Sequence, residues 1–203
     1  MTLSAPLIQS KLPGVRPILE QWVRVCDRYE AETKDDRVCW YHERAHTGFL
    51  AAAAWLAGGV ALEEWRTEKK NREGQPRKGR GDLWLSRKSL RLHIEAKHAW
   101  IGLRNDPDAA LRKVEAKLAE AQRAAREMAR ISRDELRVGA LFAAPVVRRA
   151  DAAHAEGLLV EWAKNLSRLN CLALAIRSYP TEIHRKGSDN LVPGIALLIA
   201  AQA

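Results

Sequence analysis

Cysteine is scarce in this chain. Cys26, Cys39 and Cys171 are the three in 203 residues, and none forms a CxxC pair. They read as buried or bystander thiols in a reducing cytoplasm. Long apolar runs are lacking as well. No stretch reaches the length of a membrane span, and the start "MTLSAPLIQSKLPGV" has no signal-peptide core. Neither a membrane partner nor secretion is expected. Acidic residues are outnumbered, 25 against 34 lysines and arginines, for a net charge of +9 and a pI near 9.8. That imbalance favours polyanionic partners, nucleic acid above all. No repeat and no linker is visible, so residues 1–203 are expected to form one domain. What remains is an ordinary globular balance, 47% apolar and 29% charged.

The positive charge is concentrated. Between Arg66 and Arg91 stand Arg66, Lys69, Lys70, Arg72, Arg77, Lys78, Arg80, Arg87, Lys88 and Arg91, opposed by Glu68, Glu73 and Asp82. Residues 1–14 carry Pro6, Pro13 and Gly14 and read as a flexible arm. A first helix is expected over Pro17–Glu32. A second is expected to start at the "KDD" of 34–36 and to end at Gly58-Gly59. "VALEEWRTEK" (60–69) reads as a strand and "NREGQPRKGRG" (71–81) as a mobile basic loop. Strands at 82–86 and 89–99 follow, then a helix over 108–131 with the stripe Leu111, Val114, Leu118, Ala121, Ala125 and Met128. The apolar segments 136–147, 171–179 and 194–201 read as buried strands, with a helix over 151–169 and a loop at 181–190. The pattern predicts an α/β fold, a central mixed sheet flanked by helices: an αβββαβ core plus an αββ extension.

Within it, "GDLWLSRKSLRLHIEAKHAW" (81–100) alternates cleanly. Leu90, Leu92, Ile94 and Ala96 share one face; Arg91, His93, Glu95 and Lys97 share the other. A turn at Arg87-Lys88 folds Asp82–Ser86 back and sets Asp82 opposite His93. Asp82 then lies on the polar face, roughly 7–8 Å diagonally from Glu95. A one-residue slip would move it to the other face. Two carboxylates at this spacing with a lysine beside them suit a hard divalent cation such as Mg²⁺, with Mn²⁺ as a substitute. Such a site can deprotonate water and neutralise an anionic oxygen, the chemistry that phosphodiester hydrolysis needs.

At these residues the chain resembles the PD-(D/E)xK nuclease superfamily, with its restriction-endonuclease-like fold. "GRGDLWL" followed by "HIEAKHA" is similar to that family's hairpin, with an acid on the second core strand and E-x-K on the third. The resemblance implies a metal-dependent nuclease. Asp82 and Glu95 would be metal ligands, Lys97 the catalytic lysine and the Ala96 carbonyl a further ligand. Glu43 would be the glutamate of the preceding helix, and Gln122 a residue of the helix after the lysine. Gly81 stands where the motif has proline, and Arg126 where some relatives carry a tyrosine. A homodimer is plausible if both strands are cut.

A second motif competes. "HERAH" (42–46) fits HExxH, in which two histidines on one helix face hold zinc and the glutamate acts as base. It would make the chain a zinc metalloprotease. A third reading is a non-catalytic nucleic-acid-binding protein. Acids inside a phosphate-facing groove argue against that one, since they repel the ligand. The residues expected on a nucleic-acid path are Arg77, Lys78, Arg80, Arg91, His93, Lys113 and Lys117. Trp40, Trp84 and Trp100 read as packing residues.

Overall fold

Three segments rich in Val, Leu, Ile and Ala are apolar on both faces, so they can only be satisfied between two layers of helix. The computed structural model has that form. It describes residues 5–34, 36–71, 73–103, 106–129, 132, 134–179 and 188–201. Seven strands make one mixed sheet: β1 (Leu7–Ser10), β2 (Val60–Lys70), β3 (Pro76–Arg87), β4 (Leu90–Gly102), β5 (Leu136–Val146), β6 (Ala173–Ser178) and β7 (Gly194–Ala201). Their order across the sheet is β1-β6-β7-β5-β4-β3-β2. Helices α1 (Arg16–Thr33) and α2 (Glu43–Leu56) cover one face; α3 (Pro107–Glu127) and α4 (Ala155–Ser167) cover the other. Strands β4 and β5 run parallel, and α3 joins them, the crossover that a parallel pair requires. The other ladders are antiparallel.

The helix stripes fall where the 3.6-residue period puts them. Ile18, Leu19, Trp22, Val23 and Cys26 of α1 are buried, as are Val114, Leu118, Ala121 and Ala125 of α3. The α3 start is fixed by Pro107 in its first turn and by Asp106, whose carboxylate accepts the Ala109 amide hydrogen at 2.9 Å. It ends at Glu127, short of the expected 131; residues 130 and 131 lie outside the described residues. No helix among the described residues is long and apolar enough to cross a membrane.

Several expectations are corrected. The segment read as an arm contains β1, which pairs with β6 from Leu7↔Ile176 to Ser10↔Ala173. Helix α2 begins at Glu43, after a 3₁₀ turn at Val38–Trp40, and not at "KDD". Asp36 is used differently: its carboxylate accepts from the Tyr29 hydroxyl at 2.8 Å, from Tyr41, and from the Arg37 amide at 2.9 Å. The segment expected as helix from 151 opens with a 3₁₀ turn at Arg149–His154 before α4.

The largest correction concerns the basic loop, most of which is strand. Among the described residues of the segment, only 71 and 73–75 lie outside the strands. The Asn71 carboxamide oxygen accepts the amide hydrogens of Glu73 (3.1 Å) and Gln75 (2.8 Å), and Gly74 takes φ +81°. From Pro76 onward the chain is paired to β2. The hairpin register also differs by two residues. Its turn is Lys88-Ser89, with Lys88 at φ +54°, so Trp84 faces His93 and Leu83 faces Ile94. A shift of two keeps every side chain on its face.

Candidate active site

The ladder between β3 and β4 stops at Leu83↔Ile94. One residue further, at Asp82, β3 leaves β4. Its partner strand bends at the same place: Glu64 has φ +49° and stands unpaired between Glu63↔Leu83 and Trp65↔Gly81. Before the break Leu83 and Leu85 point into the core under α1 and α2. Beyond it the faces exchange. The Trp65 ring meets His93 at 4.8 Å, and a Cβ on Gly81 would lie 3.2 Å from Met128 Sδ at the end of α3. Residues 65–70 and 76–81 therefore form a two-stranded ribbon that curls over the α3 side. Its free edge is pinned by the Lys69↔Met128 bridge and by the Ala129 amide, which donates to Glu68 at 2.7 Å.

Where β3 departs, β4 would keep unpaired backbone groups. Side chains take them up. The Asp82 carboxylate accepts the Ala96 amide hydrogen at 2.8 Å. The Ala96 carbonyl accepts from Lys97 Nζ at 2.8 Å, and the same ammonium lies 3.3 Å from both oxygens of Glu43. Glu43 also accepts from the His98 amide. Burial raises the Glu43 pKa above the ordinary carboxylate value, helped by the charge of Asp82 and opposed by Lys97. Asp82, Ala96, Lys97 and Glu43 thus meet in the gap between two strands.

Glu95 faces the same region from the α3 side and is nearly inaccessible, with 5% of its side chain exposed. The polar face expected for it is covered, because the ribbon and α3 close over it. Burial raises its pKa, and so does Asp82, while Lys69 and Lys97 oppose the rise. Lys69 Nζ stands 2.7 Å from Glu95 Oε1 with 13% of its own side chain exposed. Sequence reasoning missed this pair, because Lys69 lies two strands away. The signal lay in the alternating glycines of "KGRG". A Cβ at Gly79 would come within 2.9 Å of Lys69 Cγ, and one at Gly81 within 2.4 Å of Trp65 Nε1. Both long side chains cross β3 over glycine. The same clash explains why Gly81 is not proline. Gly81→Ala is expected to cost about 1–3 kcal/mol, the usual range for overpacking. An unchanged urea midpoint would show that Trp65 yields freely.

The remaining expected residues divide. Arg77 pairs with Glu127 at 3.3 Å, and Arg80 with Glu64 at 3.5 Å; both are exposed on the ribbon with Lys78. Lys117 pairs with Glu120 at 2.7 Å, and Lys97 helps hold the Glu120 pKa down, after Lys117 itself. Lys113 is exposed one turn earlier. Arg91 is exposed opposite Ser86, six residues up β4 from Lys97. His93 is not on an open path: it is buried, against Trp65, with Nε2 2.9 Å from Glu135 Oε2. Gln122 is a structural tie, donating from Nε2 to the Ala201 carbonyl of β7.

The two HExxH histidines both meet the His98 ring, at 6.5 Å for His42 and 5.1 Å for His46, but their surroundings differ. His42 is the N-cap, with extended backbone, and only Glu43 onward is helical. His46 is fully buried, stacked on Phe142 at 4.8 Å and on His98 at 5.1 Å. Burial, with His98 next, lowers its pKa to about 3. The Glu of the motif is engaged by Lys97.

Among the described residues no three His, Cys, Asp or Glu side chains converge as a metal site would. The donor chemistry still suits a hard cation, with Asp82 close enough to raise the pKa of both Glu43 and Glu95 and a carbonyl freed from its ladder. Each donor, however, already has a partner within the chain. Comparison with protein-family models, curated proteins and solved structures found no match to this chain.

Proposed function

We propose that the chain is a divalent-metal-dependent nuclease with a restriction-endonuclease-like core, hydrolysing DNA phosphodiester bonds. One observation carries the reading: Asp82, the Ala96 carbonyl, Lys97 and Glu43 meet where β3 parts from β4, with Glu95 adjoining. The order α2, β2, β3, β4, α3, β5 supports the core assignment. Asp82, Glu95, Glu43 and the Ala96 carbonyl would hold Mg²⁺ once Lys97 releases the carbonyl and Glu43, and Lys69 releases Glu95. The cation supplies Lewis-acid activation of water and neutralises charge. Lys97 then stands beside those oxygens with a mobile ammonium. It would orient the attacking water and stabilise the charge that develops on the phosphate.

A second reading has its own observation. Lys97 and Lys69 already neutralise Glu43 and Glu95, so a non-catalytic nucleic-acid-binding protein is also consistent with the geometry. The two readings separate in one experiment. Linear, circular and single-stranded DNA are incubated with Mg²⁺, Mn²⁺, Zn²⁺ or EDTA. Cleavage with Mg²⁺ or Mn²⁺ and none in EDTA is expected. DNA binding without cleavage under any metal would establish the binder instead. Zn²⁺-dependent proteolysis of casein would establish the protease.

A further inference from the structure

We propose that the outer face of the β2–β3 ribbon docks duplex nucleic acid, with Arg66 and Arg80 gripping its backbone phosphates. The proposal deepens the nuclease reading by naming the form of its substrate.

Directly opposed residues of an antiparallel ribbon share a face. Arg66 opposes Arg80, Glu68 opposes Lys78 and Lys70 opposes Pro76. The face turned from Glu95 thus carries four exposed cations against one carboxylate. Two arginines placed directly opposite each other on a ribbon repel. An anion beside them relieves that repulsion: Glu64 does so for Arg80 at 3.5 Å, and a phosphate would do so for Arg66. A groove of about 900 Å³ opens along the same ribbon, lined by Arg66, Lys78 and Arg80 together with Trp65, Thr67, Glu68, Gly79 and Ala129.

This face leads to the candidate site. Arg80 and Arg44 share Glu64, at 3.5 and 3.8 Å, and Arg44 directly follows Glu43 on α2. A phosphate backbone lying on the arginines would reach the gap where Asp82, Lys97 and Glu43 meet. Ribbon and residue type both select a duplex. The major groove of B-DNA admits a two-stranded β-ribbon. Single strands are held mainly by stacking on aromatic rings. Residues 66 to 80 carry none, and Trp65, the ring that lines the groove, packs against His93 at 4.8 Å.

The test is fluorescence anisotropy in EDTA, with a labelled mixed-sequence duplex and one of its single strands. Wild type is expected to bind the duplex more tightly than the strand. Arg66→Gln/Arg80→Gln is expected to weaken duplex binding roughly tenfold and to flatten the salt slope by about 0.9 for each phosphate no longer neutralised. Arg16→Gln, at an exposed pair with Glu20 on α1, is expected to bind like wild type. Without DNA the double variant is expected to melt close to wild type, since the exposed Arg80–Glu64 pair that is lost and the Arg66–Arg80 repulsion that is relieved are both small effects. Tighter binding of the single strand, unchanged duplex affinity in the double variant, or a marked fall in its melting temperature would each overturn the proposal. Because no cleavage occurs in EDTA, an arginine-dependent duplex complex that no metal converts to product would sink the nuclease reading and leave the docking surface standing.

Discussion

Lys97→Met is expected to lower DNA cleavage by about 10²–10⁴-fold, the range for removing a positioned proton-transfer or charge-stabilising group. Duplex binding in EDTA should change little. The methionine keeps the aliphatic stem, so the fold should be retained. What is lost is the ammonium that lies 2.8 Å from the Ala96 carbonyl and 3.3 Å from Glu43. Asp82→Asn is the companion. It keeps an oxygen that can accept the Ala96 amide hydrogen, so the strand edge stays satisfied while the charge goes. It should also stop cleavage, and it should bind duplex as well as wild type or better, because one repulsive carboxylate has been removed. His42→Ala should cut normally, as it sits outside the helix and outside this cluster. A dead His42 variant beside a fully active Lys97 variant would move the chemistry to the HExxH segment.

Lys69→Met is expected to cost about 3–5 kcal/mol of stability, the usual penalty for stranding one member of a buried ion pair. Glu95 would remain almost wholly enclosed with its nearest cation gone. The cost should depend on pH in a stated direction. Burial and Asp82 hold the Glu95 pKa above its ordinary value in the folded protein. The native state therefore binds this proton more tightly than the unfolded chain does. The contribution of Glu95 to stability is full below the ordinary carboxylate pKa and is lost as pH rises through the folded value. Removing Lys69 takes away an opposing influence and pushes that folded value higher. The loss should then extend to higher pH, so the variant recovers on acidification. Urea midpoints of both proteins between about pH 5 and 8 measure this. Lys69→Met/Glu95→Gln should regain much of the stability and lose most of the added pH dependence. A penalty below about 1 kcal/mol, independent of pH, would mean the pair behaves as an exposed one.

The parity of the hairpin was readable from residues 81–100 alone. The period of two fixes which side chains share a face, and a register shift of two leaves that unchanged, so Asp82, Glu95 and Lys97 could be grouped from the sequence. The helix stripes of α1 and α3, the apolar strands β5 and β7 and the alternating β4 were legible for the same reason: each pattern is local and set by backbone geometry. Where local signals were ambiguous, the reading failed. Glycine and proline among charges in 71–81 suggested a loop, yet Gly79 and Gly81 are there to let Lys69 and Trp65 pass. "HERAH" satisfies a motif in one dimension, but its first histidine is a cap and its second is core.

Sequence alone determined the helix stripes of α1 and α3, the apolar strands β5 and β7, the alternation of β4 and the charge carried by the 66–91 segment. Tertiary structure decided which charges meet. Lys69 and Glu95 are 26 positions apart and on strands that are not neighbours, so no periodicity relates them. The break at Glu64 and Asp82 exchanges the faces of the ribbon, and one backbone bend of that kind leaves no mark in hydrophobic patterning. Burial of Glu95 likewise follows from the ribbon closing over β4 toward α3, which brings distant segments together. Such contacts form only when the sheet assembles, and with them come the ion pairs and raised pKa values of the candidate site.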